Sequence, residues 1–170
     1  MNKYYKLIKN HYGDQVAKRS QIPLINHIDE GLVLLNRLNA NQRTKDAYCI
    51  HPLIQDKGSK VPPNITGISN EVLLLAMEYR YKANSFLCNE VTDNLEITDL
   101  ISAMWEETKL MLIADKVQNY KDFLIAHKDS HPRRIELDIY FNKWIKYLNV
   151  NYYDLVKLIQ NGDNDDISRI

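Results

Sequence analysis

The chain has 170 residues, 45% of them apolar and 26% charged, an ordinary balance for one soluble domain built on one core. Basic and acidic residues number 22 each, so there is no overall field to gather nucleic acid or an anionic membrane surface. No run approaches the roughly 18 apolar residues of a membrane span, and Cys49 and Cys88, far apart in apolar surroundings, read as reduced thiols of a cytoplasmic protein.

Tyr4, Leu7, Ile8 and His11 recur at steps of three and four and predict a first helix. The opening residues therefore read as the start of an amphipathic helix and not as a secretory leader. A loop with Lys18, Arg19, Ser20 and Pro23 follows, and Ile28, Leu32, Leu35 and Leu38 predict a second helix closing near Asn39 and Asn41. A third, over about 42–51, carries Ala47, Tyr48, Ile50 and His51. Pro52 has no amide hydrogen for the carbonyl four residues back, and it pushes His51 away from helical angles. The expectation is a helix that ends at His51 with a new one starting at Pro52, or a kink there. Residues 57–69, with Gly58, Pro62, Pro63 and Gly67, read as a mobile loop, and Ser69 as the N-cap of a helix containing Val72, Leu75, Ala76 and Tyr79. Residues 89–98 are polar and loop-like. A long helix is expected from Asp99 or Trp105, through Asp115, to about Ala126. Pro132 should start another at its first position, with Ile135, Ile139, Trp144 and Leu148 facing inward, and a short helix should cover 152–160. No strand alternation and no internal repeat is present. The predicted class is all-α, with one domain over 1–160 and a polar tail over 161–170 that frays.

His27, His51 and Asp115 supply two imidazoles and a carboxylate, a set suited to a divalent metal. Asp115 and Asn119 are four apart and share one helix face, so one side chain can reach a metal while the other reaches an attached ligand. Lys18 and Arg19 on a loop suit phosphate, Arg through two parallel hydrogen bonds. His127 and His131 read as helix C-terminal and loop residues, and Asp122 as a solvated helix residue. Tyr12, Tyr48 and Tyr120 fall near the site, where stacking on a base competes with ordinary packing.

These phrases, in this order, resemble one family. His11-Tyr12-Gly13, followed by Lys18-Arg19-Ser20-Gln21-Ile22-Pro23-Leu24-Ile25-Asn26-His27, is similar to the opening of the bacterial SpoT and Rel hydrolase domain and its small stand-alone animal relative. That family reads His-x-Gly, then Arg-x-Ser-Gly-x-Pro-Tyr-Ile-x-His. Here two residues are inserted before the basic pair, Gln21 replaces Gly and Leu24 replaces Tyr. His27 and His51 stand 24 positions apart, the family spacing. The family's His-Asp-x-x-Glu-Asp matches His51-Pro52-Leu53-Ile54-Gln55-Asp56, with Pro52 in place of the doublet Asp and Gln55 in place of Glu. Its Leu-Ala-Asp-x-x-x-Asn matches Ile113-Ala114-Asp115-Lys116-Val117-Gln118-Asn119, and Tyr140-Phe141 with Trp144 resembles a C-terminal phrase of the stand-alone type.

The resemblance implies an HD-domain-like helical bundle. It implies His27, His51 and Asp115 as ligands of Mn²⁺, and Asp56 and Gln55 at the catalytic positions, where Asp56 would position or activate water. It implies Lys18 and Arg19 as contacts to a nucleotide and Asn119 as a contact to its sugar or phosphate; Tyr120, next to Asn119, is a further candidate substrate contact through stacking. The family removes the 3′-diphosphate from guanosine tetra- and pentaphosphate. Pro52 deletes one of four expected metal ligands, and the Gln55 amide cannot act as a base. Three functions follow. The first is a metal-dependent phosphohydrolase with a three-ligand site. The second is an inactive relative, with the metal lost, that sequesters a nucleotide, a device suited to a virus or phage countering host nucleotide signalling. The third is a helical scaffold for protein contacts.

Overall fold

The computed structural model describes residues 2–55, 67–86 and 103–160. Residues 57–66 of the loop expected over 57–69, the loop at 89–98, the tail over 161–170, Asp56 and Cys88 lie outside the described residues. Within them the fold is all-α: seven helices and one isolated bridge between Val16 and Pro23. The helices are α1 Lys3–Tyr12, α2 Ile25–Arg37, α3 Gln42–Gln55, α4 Asn70–Ser85, α5 Glu106–Ala126, α6 Arg134–Leu148 and α7 Tyr152–Gln160.

Helix α5 is the centre of the bundle. It contacts α2, α3, α4, α6 and α7, and from Met111 to Val117 every residue on it is buried. Its polar residues Asp115, Lys116, Gln118 and Lys121 are buried with the apolar ones, so they must find partners inside the bundle. Around it pack Ile28, Leu32 and Leu35 of α2, Tyr48 and Ile50 of α3, Leu75 and Tyr79 of α4, and Trp144 of α6. Among the described residues no helix is long and apolar enough to cross a membrane. Cys49 is buried, and burial raises its thiol pKa above the usual range.

The segment between α1 and α2 folds back on itself. Gly13 ends α1 at φ 51°, and the Ala17 amide donates to the Ile22 carbonyl at 2.8 Å, the Gln21 amide to Ala17 at 2.9 Å and the Leu24 amide to Gln15 at 2.9 Å. The tight tip holds Lys18, Arg19 and Ser20, and it puts Gln21 at φ 58°, a left-handed conformation that glycine adopts more readily.

Three local expectations are corrected. Of the two alternatives at Pro52, a helix end at His51 is ruled out: α3 continues through Pro52 to Gln55. Helix α6 begins at Arg134 after a turn containing Pro132, so Pro132 precedes the helix. Ile135 and Ile139 do not face inward; they are 68% and 47% exposed, because α6 turns Tyr140, Phe141, Trp144 and Leu148 to the bundle. Ser69 does precede α4, but its side chain makes no cap hydrogen bond; its amide donates to the Tyr4 hydroxyl at 3.1 Å.

Candidate metal centre

Three helices bring one side chain each to the same point. His27 comes from the first turn of α2, His51 from the last turn of α3 and Asp115 from the middle of α5. One ligating atom from each lies within 4.8 Å of the others. His27 Nε2 is 3.3 Å from His51 Nε2 and 3.5 Å from Asp115 Oδ1. His51 and Asp115 are almost fully buried, while His27 keeps partial access to solvent.

The opposite edge of each imidazole decides what the site can do. His27 Nδ1 is 2.7 Å from Gln118 Oε1. The Gln118 amide nitrogen donates to Glu30 at 3.1 Å and to Asp122 at 2.7 Å, so its oxygen faces His27 and accepts. Lys121 in turn pairs with both Glu30 and Asp122. On the other ring, His51 Nδ1 is 2.6 Å from the Tyr48 carbonyl oxygen, which only accepts. Both rings therefore carry hydrogen on Nδ1 when neutral, and both turn an Nε2 lone pair toward the other and toward a carboxylate oxygen. Three electron-pair donors at such separations repel one another. A cation between them would turn that repulsion into binding.

Pro52 contributes to this arrangement. The Tyr48 carbonyl lies four residues before it, at the position a helical amide at 52 would bond. Proline cannot donate, and His51 Nδ1 takes that carbonyl instead.

Asp115 is already engaged on both oxygens. Oδ1 accepts from Asn119 Nδ2 at 2.9 Å, and Oδ2 is 2.9 Å from Lys116 Nζ. The Lys116 ammonium also sits 5.5 Å from the Tyr140 ring centre and 5.3 Å from that of Trp144. Burial alone would raise the Asp115 pKa; the Lys116 ammonium, then His27 and His51, outweigh it and hold the pKa at about 2. For Lys116 burial works against the charge, and Asp115 reverses this and raises its pKa. Burial, then His27, drives His51 down to about 3, so this ring is neutral over the physiological range. Burial and the nearby Asp115 charge raise the pKa of both Tyr48 and Tyr79 far above the usual tyrosine value.

The trio forms part of the wall of a cavity of about 630 Å³. Lys18, Arg19 and Ser20 line it from the α1–α2 loop, and Pro52, Asn119 and Tyr12 also face it. Lys18 and Arg19 are exposed. Asn119 lines the cavity and donates one N–H of its amide to Asp115. Tyr120 is elsewhere: its ring packs against Phe123, Phe141 and Tyr152, and its hydroxyl donates to Asp138 at 2.8 Å. Gln55 closes α3, and Asp56 follows it beyond the described residues.

Lys116 and Gln118 carry no signature in the sequence as site residues, since lysine and glutamine on a helix read as solvated surface. The available signal was their position, one and three residues after Asp115 on a helix with no polar face. The protein-family models, the curated proteins and the solved structures searched contain no match to the chain.

Proposed function

We propose that this protein is a metal-assisted phosphohydrolase of HD type that acts on a phosphorylated nucleotide of the guanosine tetraphosphate class. The observation that carries the reading is the convergence of the His27 and His51 Nε2 lone pairs and Asp115 Oδ1 on a cavity with Lys18 and Arg19 at its rim. The left-handed backbone at Gln21, where the resembling family has glycine, supports the same relationship.

His27, His51 and Asp115 would hold a divalent ion, Mn²⁺ by the family resemblance, which would polarise a phosphoryl oxygen and acidify water there. Gln118 and the Tyr48 carbonyl keep the two imidazoles oriented. Lys18 and Arg19 neutralise phosphate at the rim, and Asp56, next after α3, orients the attacking water. The partner is a small-molecule nucleotide, not nucleic acid or membrane, and a cytoplasmic setting suits the thiol at Cys49. The test is incubation of purified protein with guanosine tetraphosphate and a panel of nucleotides in Mn²⁺. Release of diphosphate or phosphate, lost in His51→Gln, is expected; no turnover with any metal overturns the enzymatic reading.

One observation favours a second reading. Pro52 offers no carboxylate, and the ammonium of Lys116 already occupies Asp115 Oδ2. A protein with so few free ligand atoms would bind a nucleotide and sequester it intact. Recovery of unhydrolysed nucleotide with the protein, together with turnover gained in Pro52→Asp, would select this reading.

A further inference from the structure

We propose that His127 and His131, with Lys18 and Arg19, form a second anion subsite in the same cavity, which takes a phosphate group remote from the metal centre. The consequence, a ligand with two separated phosphoryl groups, rests on the function proposed above; the subsite itself does not.

His127 ends α5 twelve residues beyond Asp115, about 18 Å along the helix axis. Both His127 and His131 line the cavity that also contains the trio. The turn between them is tightly held: the His131 amide donates to the His127 carbonyl at 2.8 Å, and the Arg134 amide to the His131 carbonyl at 3.0 Å. This brings the two rings to 6.2 Å, edge to face.

The hydrogen bonding of His131 leaves a donor for a ligand. His131 Nδ1 accepts from the Arg133 amide at 3.0 Å, so its hydrogen sits on Nε2 in the neutral ring. His127 Nδ1 is buried with no hydrogen-bond partner among the described residues, so it is closed to a ligand and the ring meets the cavity by another edge.

The cations that are exposed at this end of the cavity are those of the α1–α2 loop. Lys18 and Arg19 line the cavity from the α1–α2 loop, with Arg19 close enough to act on His131; Arg133 beside His131 is paired with Glu136, and Asp122, which also lines the cavity, shares the Lys121 ammonium with Glu30 and accepts from Gln118. Burial, then the charges of Arg19, His127 and Arg133, depress the proton affinity of His131. An anion held by Lys18 and Arg19 beside this ring favours its protonated form. Leu137 and Phe141 give the wall an apolar stretch suited to an uncharged part of the ligand.

The test uses sulfate, a tetrahedral dianion whose charge is constant between pH 5.5 and 8, on full-length protein stripped of metal by chelator. Ring resonances of the histidines are followed by NMR. His127 and His131 should shift along one saturating curve, about fivefold tighter at pH 5.5 than at pH 8, because a charged imidazole strengthens the hydrogen bond to the anion. Arg19→Gln, on an exposed loop, and His131→Gln should each weaken binding about tenfold, the scale of one charge-assisted hydrogen bond. Shifts that do not saturate, equal affinity at both pH values, or full affinity in Arg19→Gln overturn the subsite. Since no metal is present, failure of the metal centre leaves this result readable. With Mn²⁺ restored, guanosine tetraphosphate, whose outer phosphates reach farther apart than those of a bisphosphate, should bind about tenfold tighter than guanosine 5′-diphosphate when binding is measured before turnover, and His131→Gln should erase the difference. Equal binding of the two in the unaltered protein overturns the two-phosphate ligand.

Discussion

Pro52 shows how one residue changes both a helix and a site. It removes a carboxylate where the resembling family has one, and it also leaves the Tyr48 carbonyl to His51. Pro52→Ala restores a helical amide that competes for that carbonyl. Two effects of opposite sign should follow. Stability should rise, by up to about 3 kcal/mol, since proline is costly inside a helix. Affinity for Mn²⁺ should fall about tenfold, as expected when the outer partner of a ligating histidine is disturbed. Urea unfolding and metal titration on the same preparation check both; unchanged metal affinity would remove the orienting role. The buried charges give a second prediction. Folding holds His51 neutral, with its pKa lowered from 6.5 to about 3, and Asp115 ionised, with its pKa lowered from 3.8 to about 2. In both cases the unfolded chain binds the proton more readily, so their contribution is complete above pH 6.5 and is lost as pH falls. The metal-free protein should therefore lose stability from pH 6.5 toward 3, at up to about 1.4 kcal/mol per pH unit from His51, and further below 3.8 from Asp115. His51→Gln should flatten the upper part of that curve, and a curve unchanged by this substitution would contradict the buried neutral imidazole. At this scale His27, His51 and Asp115 were legible because few residue types bind metals. Gln118 and Lys116 were not, because what makes them matter is burial.

Helix packing explains which elements could be read. The segments α2 and α5 were visible as helices from spacing and length. Their faces were harder to assign, since α5 is buried around its circumference over 111–118 and offers no apolar stripe to read. On α6 the error was of phase: Ile135 and Ile139 are as apolar as Trp144 and Leu148, yet only the latter pair meets the bundle. Two contacts between elements can be tested. Gly31 of α2 lies under the Tyr48 ring of α3, and a Cβ there would come within 2.2 Å of that ring. Gly31→Ala should cost about 1–3 kcal/mol by urea unfolding and weaken Mn²⁺ binding, because Tyr48 and His51 move together. Full stability would contradict the close crossing of α2 and α3. Lys116→Met removes the ammonium that α5 holds beneath Trp144 of α6 and leaves Asp115 less compensated. The metal-free variant should lose about 3–5 kcal/mol, and Mn²⁺ should recover more stability in it than in the unaltered protein. Equal recovery would show that Lys116 and the metal do not share Asp115.

At the scale of the molecule, a chain with no net charge still has a polarised interior. A carboxylate and two imidazole lone pairs meet deep in the cavity, and Lys18 and Arg19 stand at its rim. The all-α class was legible in the absence of strand alternation, and the coming together of residues 27, 51 and 115 was suggested by the order and spacing of their phrases. The depth of the cavity was not, since it depends on how α5, α6 and the α1–α2 loop enclose it. The most direct measurement is pulsed electron paramagnetic resonance of the protein titrated with Mn²⁺, with His27→Gln and His51→Gln as comparisons. One Mn²⁺ per chain, with couplings to two imidazole nitrogens of which each substitution removes one, is the predicted result. Mn²⁺ that shows no nitrogen coupling, or couplings unchanged by either substitution, would contradict the metal centre.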